Sequence, residues 1–374
     1  MSGIEVQLVR TARERRALLT FPWRIYRDDP LWVPPLLPER AKVIDPERGV
    51  FFQRGAAEFF LARRKGQPVG SICAAEDPPT NEAQQRRDCV IGFLEYIEDE
   101  EVFAALIETV GKWARERGLT ALFGPFNLDY EDGYGVLVEG RDRPPALFCG
   151  HTPPYYQEFM ERAGFEPARG DNLAFAIDTQ AHGLPRIERL ATRVRRQSRV
   201  TIRAADLDQW EGEIDRVHYL LNTALEDVPG RIPWQREALG AMLTPFRRIA
   251  DPELVLFAEV EGETIGWLAG LPNLNEAFKH VNGLRYPWNY AQLWWRLKRR
   301  ITSVALKSVL VIPEYWNKGV AILLFDEIIR RAVAKGITWA DLSLTSDDNP
   351  HAPIIYHHIG GKIYKRYRVY RKAL

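Results

Sequence analysis

Two stretches in the C-terminal half hold residue types at spacings from which chemistry can be built. In KSVLVIPEYWNKGVAILLF, Lys307 to Phe325, a β-rich run ends at Pro313, a polar loop follows, and an apolar-periodic helix begins around Val320. The first N–H groups of a helix have no partner within it and sit at the positive end of its dipole, so they can receive a diphosphate. Gly319 is expected to let backbone approach such a ligand with no Cβ in the way. The same pattern also describes a plain turn before a helix. In DNPHAPIIYHHIGGKIY, Asp348 to Tyr364, the residues Asn349, Ala352, Tyr356 and Gly360 follow at intervals of three, four and four. Asn349 can cap a helix or offer its amide to a ligand, and Tyr356 falls on the same helix face as Ala352, where a core role is the general reading for a tyrosine.

Taken together, the stretches resemble the acetyl-coenzyme A signature of the Gcn5-related N-acetyltransferase (GNAT) superfamily. The motif V-x-P-x-x-[QR]-x-x-G-x-[GA] reads here as Val311, Pro313, Trp316, Gly319 and Ala321, and N-x-x-A-x-x-x-Y-x-x-x-G as Asn349, Ala352, Tyr356 and Gly360, with every spacing kept. Trp316 stands where the family has Gln or Arg. The phrases PWRIYRDDPLWVPPLLPER, GPFNLDYEDGYGVLVEG, TPPYY and GGKIYKRYRVY are similar to a bacterial family of tandem GNAT-like proteins of unestablished substrate, over almost the whole chain.

This resemblance implies an acetyl-coenzyme A donor lying in a wedge between the strand that ends at Val311 and the one from Trp339 to Leu344. The diphosphate would rest on the amides of Trp316, Asn317, Lys318, Gly319, Val320 and Ala321, the pantetheine arm would run beside Val311, and Asn349 and Ala352 would border it. The implied chemistry is aminolysis of a thioester through an oxyanion. A strand amide near Val311 is expected to hold the oxyanion. Tyr356, neutral at about pH 7, is expected to protonate the departing thiolate. Many relatives carry a glutamate base on the strand before the loop, but Ser303 to Leu310 (SVALKSVL) has none. Glu226, Asp227, His357 and His358 are the substitutes, each also readable as a structural or surface residue.

The elements that position these residues occur twice. FFLARRKGQPVGSI (Phe59 to Ile72) and VLFAEVEGETIGWL (Val255 to Leu268) both read as hairpins, aligning Ala62 with Ala258, Gly66 with Gly262, Val69 with Ile265 and Gly70 with Gly266. Each is followed by an amphipathic helix that stops at a glycine (Glu100 to Arg117 before Gly118; Val320 to Lys335 before Gly336), then a buried strand and an aromatic helix ending in Gly. The expected fold is α+β: two tandem GNAT-like units, 1–182 and 183–374, each a mixed, mostly antiparallel twisted sheet flanked by helices.

The first unit lacks the loop. Its GFLEYIEDEEVFAAL places Glu98, Asp99, Glu100 and Glu101 at a helix start, where carboxylates suit the dipole and repel a diphosphate. Only the C-terminal unit is therefore expected to hold the donor, with Asp129, Tyr130, Glu131 and Asp132 as acceptor contacts or a polar turn. Cys149 and His151 lack the further ligands or orienting acid that a metal site or a thiol nucleophile needs, so a buried Cys and an incidental His are expected, with no metal. The arginine-rich Gly183 to Arg203 reads as a solvated helix face or linker. The run YPWNYAQLWWRLKRR (Tyr286 to Arg300) reads as a helix whose Trp288, Trp294 and Trp295 pack on the body of the protein or on the partner in a homodimer, with a membrane surface or an apolar acceptor as the alternative.

With 51 Lys plus Arg against 50 Asp plus Glu, no whole-molecule field draws in nucleic acid, and no nucleic-acid partner is expected. Three cysteines without a CxxC pair, no signal-like apolar core and no membrane-length apolar run lead to the expectation of a cytoplasmic protein without a membrane span. The functional expectation is an acyl-coenzyme A dependent N-acyltransferase acting on a small-molecule or peptide amine. The alternative is a non-catalytic GNAT-like ligand-binding or scaffold protein.

Overall fold

A computed structural model of the chain describes residues 3–128, 133–179, 184–226, 233–348 and 360–374. Numbered along the chain, the strands are β1 (Ile4–Leu8), β2 (Ala56–Arg64), β3 (Gln67–Glu76), β4 (Asp88–Tyr96), β5 (Ala121–Gly124), β6 (Val136–Glu139), β7 (Glu166–Pro167), β8 (Asn172–Asp178), β9 (Thr201–Ala204), β10 (Val255–Val260), β11 (Glu263–Pro272), β12 (Ser303–Val311), β13 (Trp339–Ser346), β14 (Lys362–Arg368) and β15 (Tyr370–Ala373). Two compact units emerge. The first comprises Met1–Asn172, Asn275–Arg299 and Lys365–Leu374, and the second Leu173–Leu274 and Arg300–Tyr364. The segments 275–299 and 365–374 thus pack with the N-terminal unit although they follow residue 183 in the chain.

In the first unit the strands run in the order β1-β2-β3-β4-β5-β15-β7, antiparallel except for the β4–β5 pair. In the second they run β8-β13-β12-β11-β10-β9, with β12 and β13 parallel. Two mixed, mostly antiparallel sheets flanked by helices make the fold α+β, as the sequence predicts.

The repeat extends to single residues. Both hairpins turn on two residues of positive φ, Lys65 and Gly66 in one and Glu261 and Gly262 in the other, the geometry that keeps a two-residue turn in step with strand twist. Ala62 lies opposite Gly70 and Ala258 opposite Gly266, and the register slips immediately after each alanine. A Cβ on Gly70 would stand 2.9 Å from Val102 Cγ1, and one on Gly266 would stand 3.3 Å from Val320 Cγ1. Each glycine therefore lets the start of the following helix lie close on the sheet.

Those helices form because their apolar residues recur at three and four. Val102, Phe103, Leu106, Val110 and Trp113 bury one face of Glu100–Glu116, and Val320, Leu323, Leu324 and Ile328 bury one face of Val320–Ala334. Each joins its own unit's core, one around Phe103, Leu106 and Tyr156, the other around Phe257, Leu306 and Phe325. The arginine-rich segment is part of the second unit: the Leu184–Gln197 helix and β9. Arg195 meets Asp326 at 2.5 Å, and Arg203 meets Glu213 at 2.6 Å and Glu259 at 2.7 Å.

Candidate active site

The second unit opens its sheet beside the predicted loop. The β12–β13 ladder covers Ser303–Ala305 and Trp339–Asp341; beyond it, among the described residues, β12 runs on to Val311 laddered to β11 alone. Register slips between Ala269 and Gly270, which face Ser308 and Leu306, so Lys307 is the extra residue of a bulge. A bulge bends its strand, and this one lies where β12 leaves β13.

The Ile312 N–H donates to Ile265 O at 3.0 Å, on the β11 side. Successive N–H groups of a strand point to opposite edges, so the Val311 N–H faces the edge that β13 has left. On that same edge the Trp316 indole Nε1 donates to Val311 O at 2.6 Å, with the residue 54% exposed. The indole thus caps the end of β12 and is not buried in the wedge.

The loop itself is a 3₁₀ turn, Pro313–Lys318, closed by the Tyr315 N–H on Ile312 O at 2.9 Å. The i→i+3 bonds of such a turn engage the amides of Trp316, Asn317 and Lys318 within it. Asn317 and Lys318 are exposed, and Lys318 Nζ lies 4.2 Å from the Tyr315 ring centroid. Gly319 follows at φ +78°, and the Leu323 N–H returns to Gly319 O at 3.2 Å. No side chain caps this helix and its first turn holds no acidic residue. By helix geometry the donors without a partner inside the helix are therefore Val320, Ala321 and Ile322, which overlap the expected 316–321 span at Val320 and Ala321 and extend one residue past it. Gly319 is required for a different reason than expected. A Cβ there would meet Val194 Cγ2 at 2.6 Å, so its place faces the Leu184–Gln197 helix.

The equivalent helix of the first unit is closed to anions. Asp99 caps Glu100–Glu116 by accepting from the amides of Glu101 (3.1 Å) and Val102 (3.3 Å), and Glu100 and Glu101 fill the first turn. The Arg64 guanidinium, 2.6 Å away, holds the Asp99 carboxyl below its usual range. The strand edge is filled as well. A Cβ on Gly92 would fall 1.6 Å from Phe126 O, and the Phe93 N–H donates to Asn127 Oδ1 at 2.9 Å.

A model of the acetyltransferase (GNAT) family matches residues 214–360. Over 379 residues the chain is 31% identical to the bacterial ceramide synthase of Caulobacter vibrioides (strain NA1000 / CB15N), covering 100% of this chain and 98% of that protein. The chain belongs to the GNAT family. Protein YghO of Escherichia coli (strain K12) is 28% identical over 380 residues, covering 98% of this chain and 95% of that one. Among solved structures, a tandem GNAT protein from the clavulanic acid biosynthesis pathway superposes with a TM-score of 0.59 at 11% identity, over 99% of this chain and 98% of that one, a likeness of fold. Acyl transfer is thus the family chemistry against which the site is to be judged.

For a GNAT chain, the second half of the signature matters as much as the first. Asn349, Ala352 and Tyr356 lie outside the described residues, as do Asp129, Tyr130, Glu131, Asp132, Asp227, His357 and His358. Glu226 is described and exposed, in the turn after the Trp210–Ala224 helix.

Two polar clusters escaped the sequence reading. Asp341, fully buried on β13, accepts from Tyr364 Oη at 2.7 Å and from the Ser343 N–H at 3.2 Å, with Lys307 Nζ 3.6 Å away. The bulge lysine is thereby held where the strands part. In the first unit, Glu95 accepts from Tyr26 Oη at 3.1 Å and from Tyr156 Oη at 2.8 Å, and burial pushes its carboxyl up to about 7. Tyr26 Oη also lies 2.9 Å from His151 O, and His151 Nε2 lies 2.6 Å from Asp29 Oδ2. Burial lowers the His151 ring against the raising effect of Asp29. The His151 side chain is thus buried and oriented by Asp29. Cys149 is partly exposed, where a buried Cys was expected. Among the described residues, no group of three or more His, Cys, Asp or Glu could hold a metal.

Of the alternatives for the aromatic run, one is set aside: packing on the body of the protein. Trp288, Trp294 and Trp295 on Pro287–Leu297 are 60%, 61% and 49% exposed, so they do not pack on the body. Asn289 is the buried residue of that helix, and its Oδ1 accepts from the Tyr286 N–H at 2.9 Å. Apolar type predicted burial there; a polar cap decided which side faces in.

Proposed function

We propose that the chain is an acyl-coenzyme A dependent N-acyltransferase whose acceptor is the primary amine of a long-chain amino alcohol. The observation that carries this reading is the 31% identity, along the full length of both chains, to a protein named bacterial ceramide synthase. A ceramide is such an amino alcohol acylated on nitrogen, so its synthase forms an amide. The signature alone pointed to acetyl-coenzyme A; the full-length likeness moves our proposal to a fatty acyl donor of the same nucleotide-tailed class.

The uncapped, acid-free start of Val320–Ala334 supports this reading, because the amides of Val320, Ala321 and Ile322 are suited to the donor's diphosphate. The Val311 N–H, on the open edge of β12, is suited to the oxyanion. Tyr356 is retained as the proton donor to sulfur. In balance, the ammonium gives one proton to solvent to become the free amine, a nitrogen–carbon bond forms at the thioester carbonyl, the carbon–sulfur bond breaks, and a second proton leaves the nitrogen as the departing thiolate is protonated. The capped helix and filled strand edge of the first unit support a single donor site, in the second unit.

A non-catalytic scaffold is the second reading, favoured by the Trp316 indole on Val311 O and by the absence of an acidic residue on β12. Palmitoyl- and acetyl-coenzyme A, each mixed with sphinganine and the purified chain, separate the two by thiol release and mass spectrometry. The proposal expects N-palmitoylsphinganine with matching thiol release. Loss of the thioester without amide, or no loss with either donor, would overturn it.

A further inference from the structure

The Pro287–Leu297 helix is the largest exposed aromatic feature among the described residues, and the transfer chemistry above does not use it. Its less exposed residues, Asn289, Leu293 and Arg296, recur at four and three, so one stripe faces in. Two flanking rows face out: Trp288 with Trp295, and Tyr290 with Trp294 and Leu297. Cations accompany the rings. Lys298 Nζ lies 3.5 Å from the Trp294 ring centroid and Arg299 Cζ 3.6 Å from that of Trp295. The chain has no Asp or Glu from Ala277 to Pro313, and among the described residues no ion pair engages Arg285, Arg296, Lys298 or Arg299.

Indoles beside uncompensated cations are the chemistry of the boundary between lipid headgroups and acyl chains, where tryptophan is enriched and each basic residue is drawn to anionic lipid. Eleven residues rise about 16 Å, roughly half the hydrocarbon thickness of a bilayer, so the helix can lie in that boundary and cannot cross it. A second copy of the chain is the wrong occupant for this face, since a twofold contact would set like charges opposite one another.

We infer that the Pro287–Leu297 helix docks the protein on an anionic membrane surface, with Trp288 and Trp294 entering the interface and Lys298 and Arg299 meeting lipid phosphates. Docking is read without any acyl transfer, so failure of the acceptor proposal would leave it standing, and the reverse holds.

The test is sedimentation of the full chain with vesicles of phosphatidylcholine containing about one-third phosphatidylglycerol, against vesicles of phosphatidylcholine alone. The expected result is a partition coefficient at least about tenfold higher on the anionic vesicles, falling about tenfold in Trp288→Ala/Trp294→Ala and in Lys298→Glu/Arg299→Glu. All four side chains are exposed, so the thermal midpoints of both variants should match the wild type. Brominated acyl chains should quench tryptophan emission in the wild type and much less in the double-alanine variant. Equal partition on both vesicles, no binding to either, unchanged binding in both variants, or tighter binding to a DNA duplex than to anionic vesicles would overturn the inference.

Discussion

Replacing Ala321 by Glu tests anion binding at the helix start separately from stability. Ala321 is the second residue of Val320–Ala334, half-buried, in a first turn with no acidic residue and no side-chain cap. A carboxylate there complements the helix dipole, worth about 0.3–1 kcal/mol, so the thermal midpoint should hold or rise by about 1–3 °C. The same carboxylate opposes a bound diphosphate. Two unit charges about 4 Å apart at an effective dielectric near 20 repel by about 4 kcal/mol, and halving that for solvent screening still leaves a loss of roughly thirtyfold. The first unit already carries this arrangement in Glu100 and Glu101. Ala321→Gln controls for size and should bind within a few-fold of wild type. Ala321→Pro deletes one N–H at a position where a first helical turn tolerates proline, and should lose about tenfold or more. Calorimetry with coenzyme A and scanning fluorimetry read the two effects. If Ala321→Glu bound coenzyme A as tightly as wild type while its midpoint rose, the helix start would not be the diphosphate site.

Gly319→Ala places a Cβ at positive φ and against Val194, and should cost about 1–3 kcal/mol in denaturant unfolding, partly recovered in Gly319→Ala/Val194→Ala; equal stability of the single variant and wild type would refute the packing argument. Trp316→Phe frees the carbonyl of Val311 and should tighten coenzyme A binding about two- to tenfold, the worth of one hydrogen bond; weaker binding would mean that the indole helps to hold the ligand. Glu95 keeps a proton in the folded chain up to about pH 7 that the unfolded chain releases near 4.5, so its contribution to stability falls as pH rises between those values, by an amount on the order of 3 kcal/mol. The midpoint of wild type minus that of Glu95→Gln should therefore fall across this window, a comparison that cancels the opposite trend of His151. A flat or rising difference would show that Glu95 titrates normally.

Features fixed by near neighbours in the chain were legible. The two hairpins, their glycine turns and the helices beginning at Glu100 and Val320 rest on local spacing, and the register match of Ala62–Gly70 with Ala258–Gly266 confirms an alignment made from residue types alone. Features fixed by distant partners were not. Nothing near Glu95 in the chain announces Tyr26 or Tyr156, and nothing near Asp341 announces Lys307. The glycine at 319 was legible as a requirement but not in its cause, because Val194 lies on a helix that spacing alone does not bring there. The expectation that the tryptophans of Pro287–Leu297 pack on the body of the protein failed for the opposite reason: apolar type implies burial only when a surface is available to cover it.

The central claim is that the backbone donors at the start of Val320–Ala334 receive the diphosphate of an acyl donor. Amide-resolved NMR of the full chain during a coenzyme A titration reads those donors one by one. Saturable shifts at Val320, Ala321 and Ile322, with none at Glu100, Glu101 and Val102, are the result the account predicts. Shifts confined to the first unit's helix start, or none at Val320, Ala321 and Ile322 under saturating ligand, would contradict it.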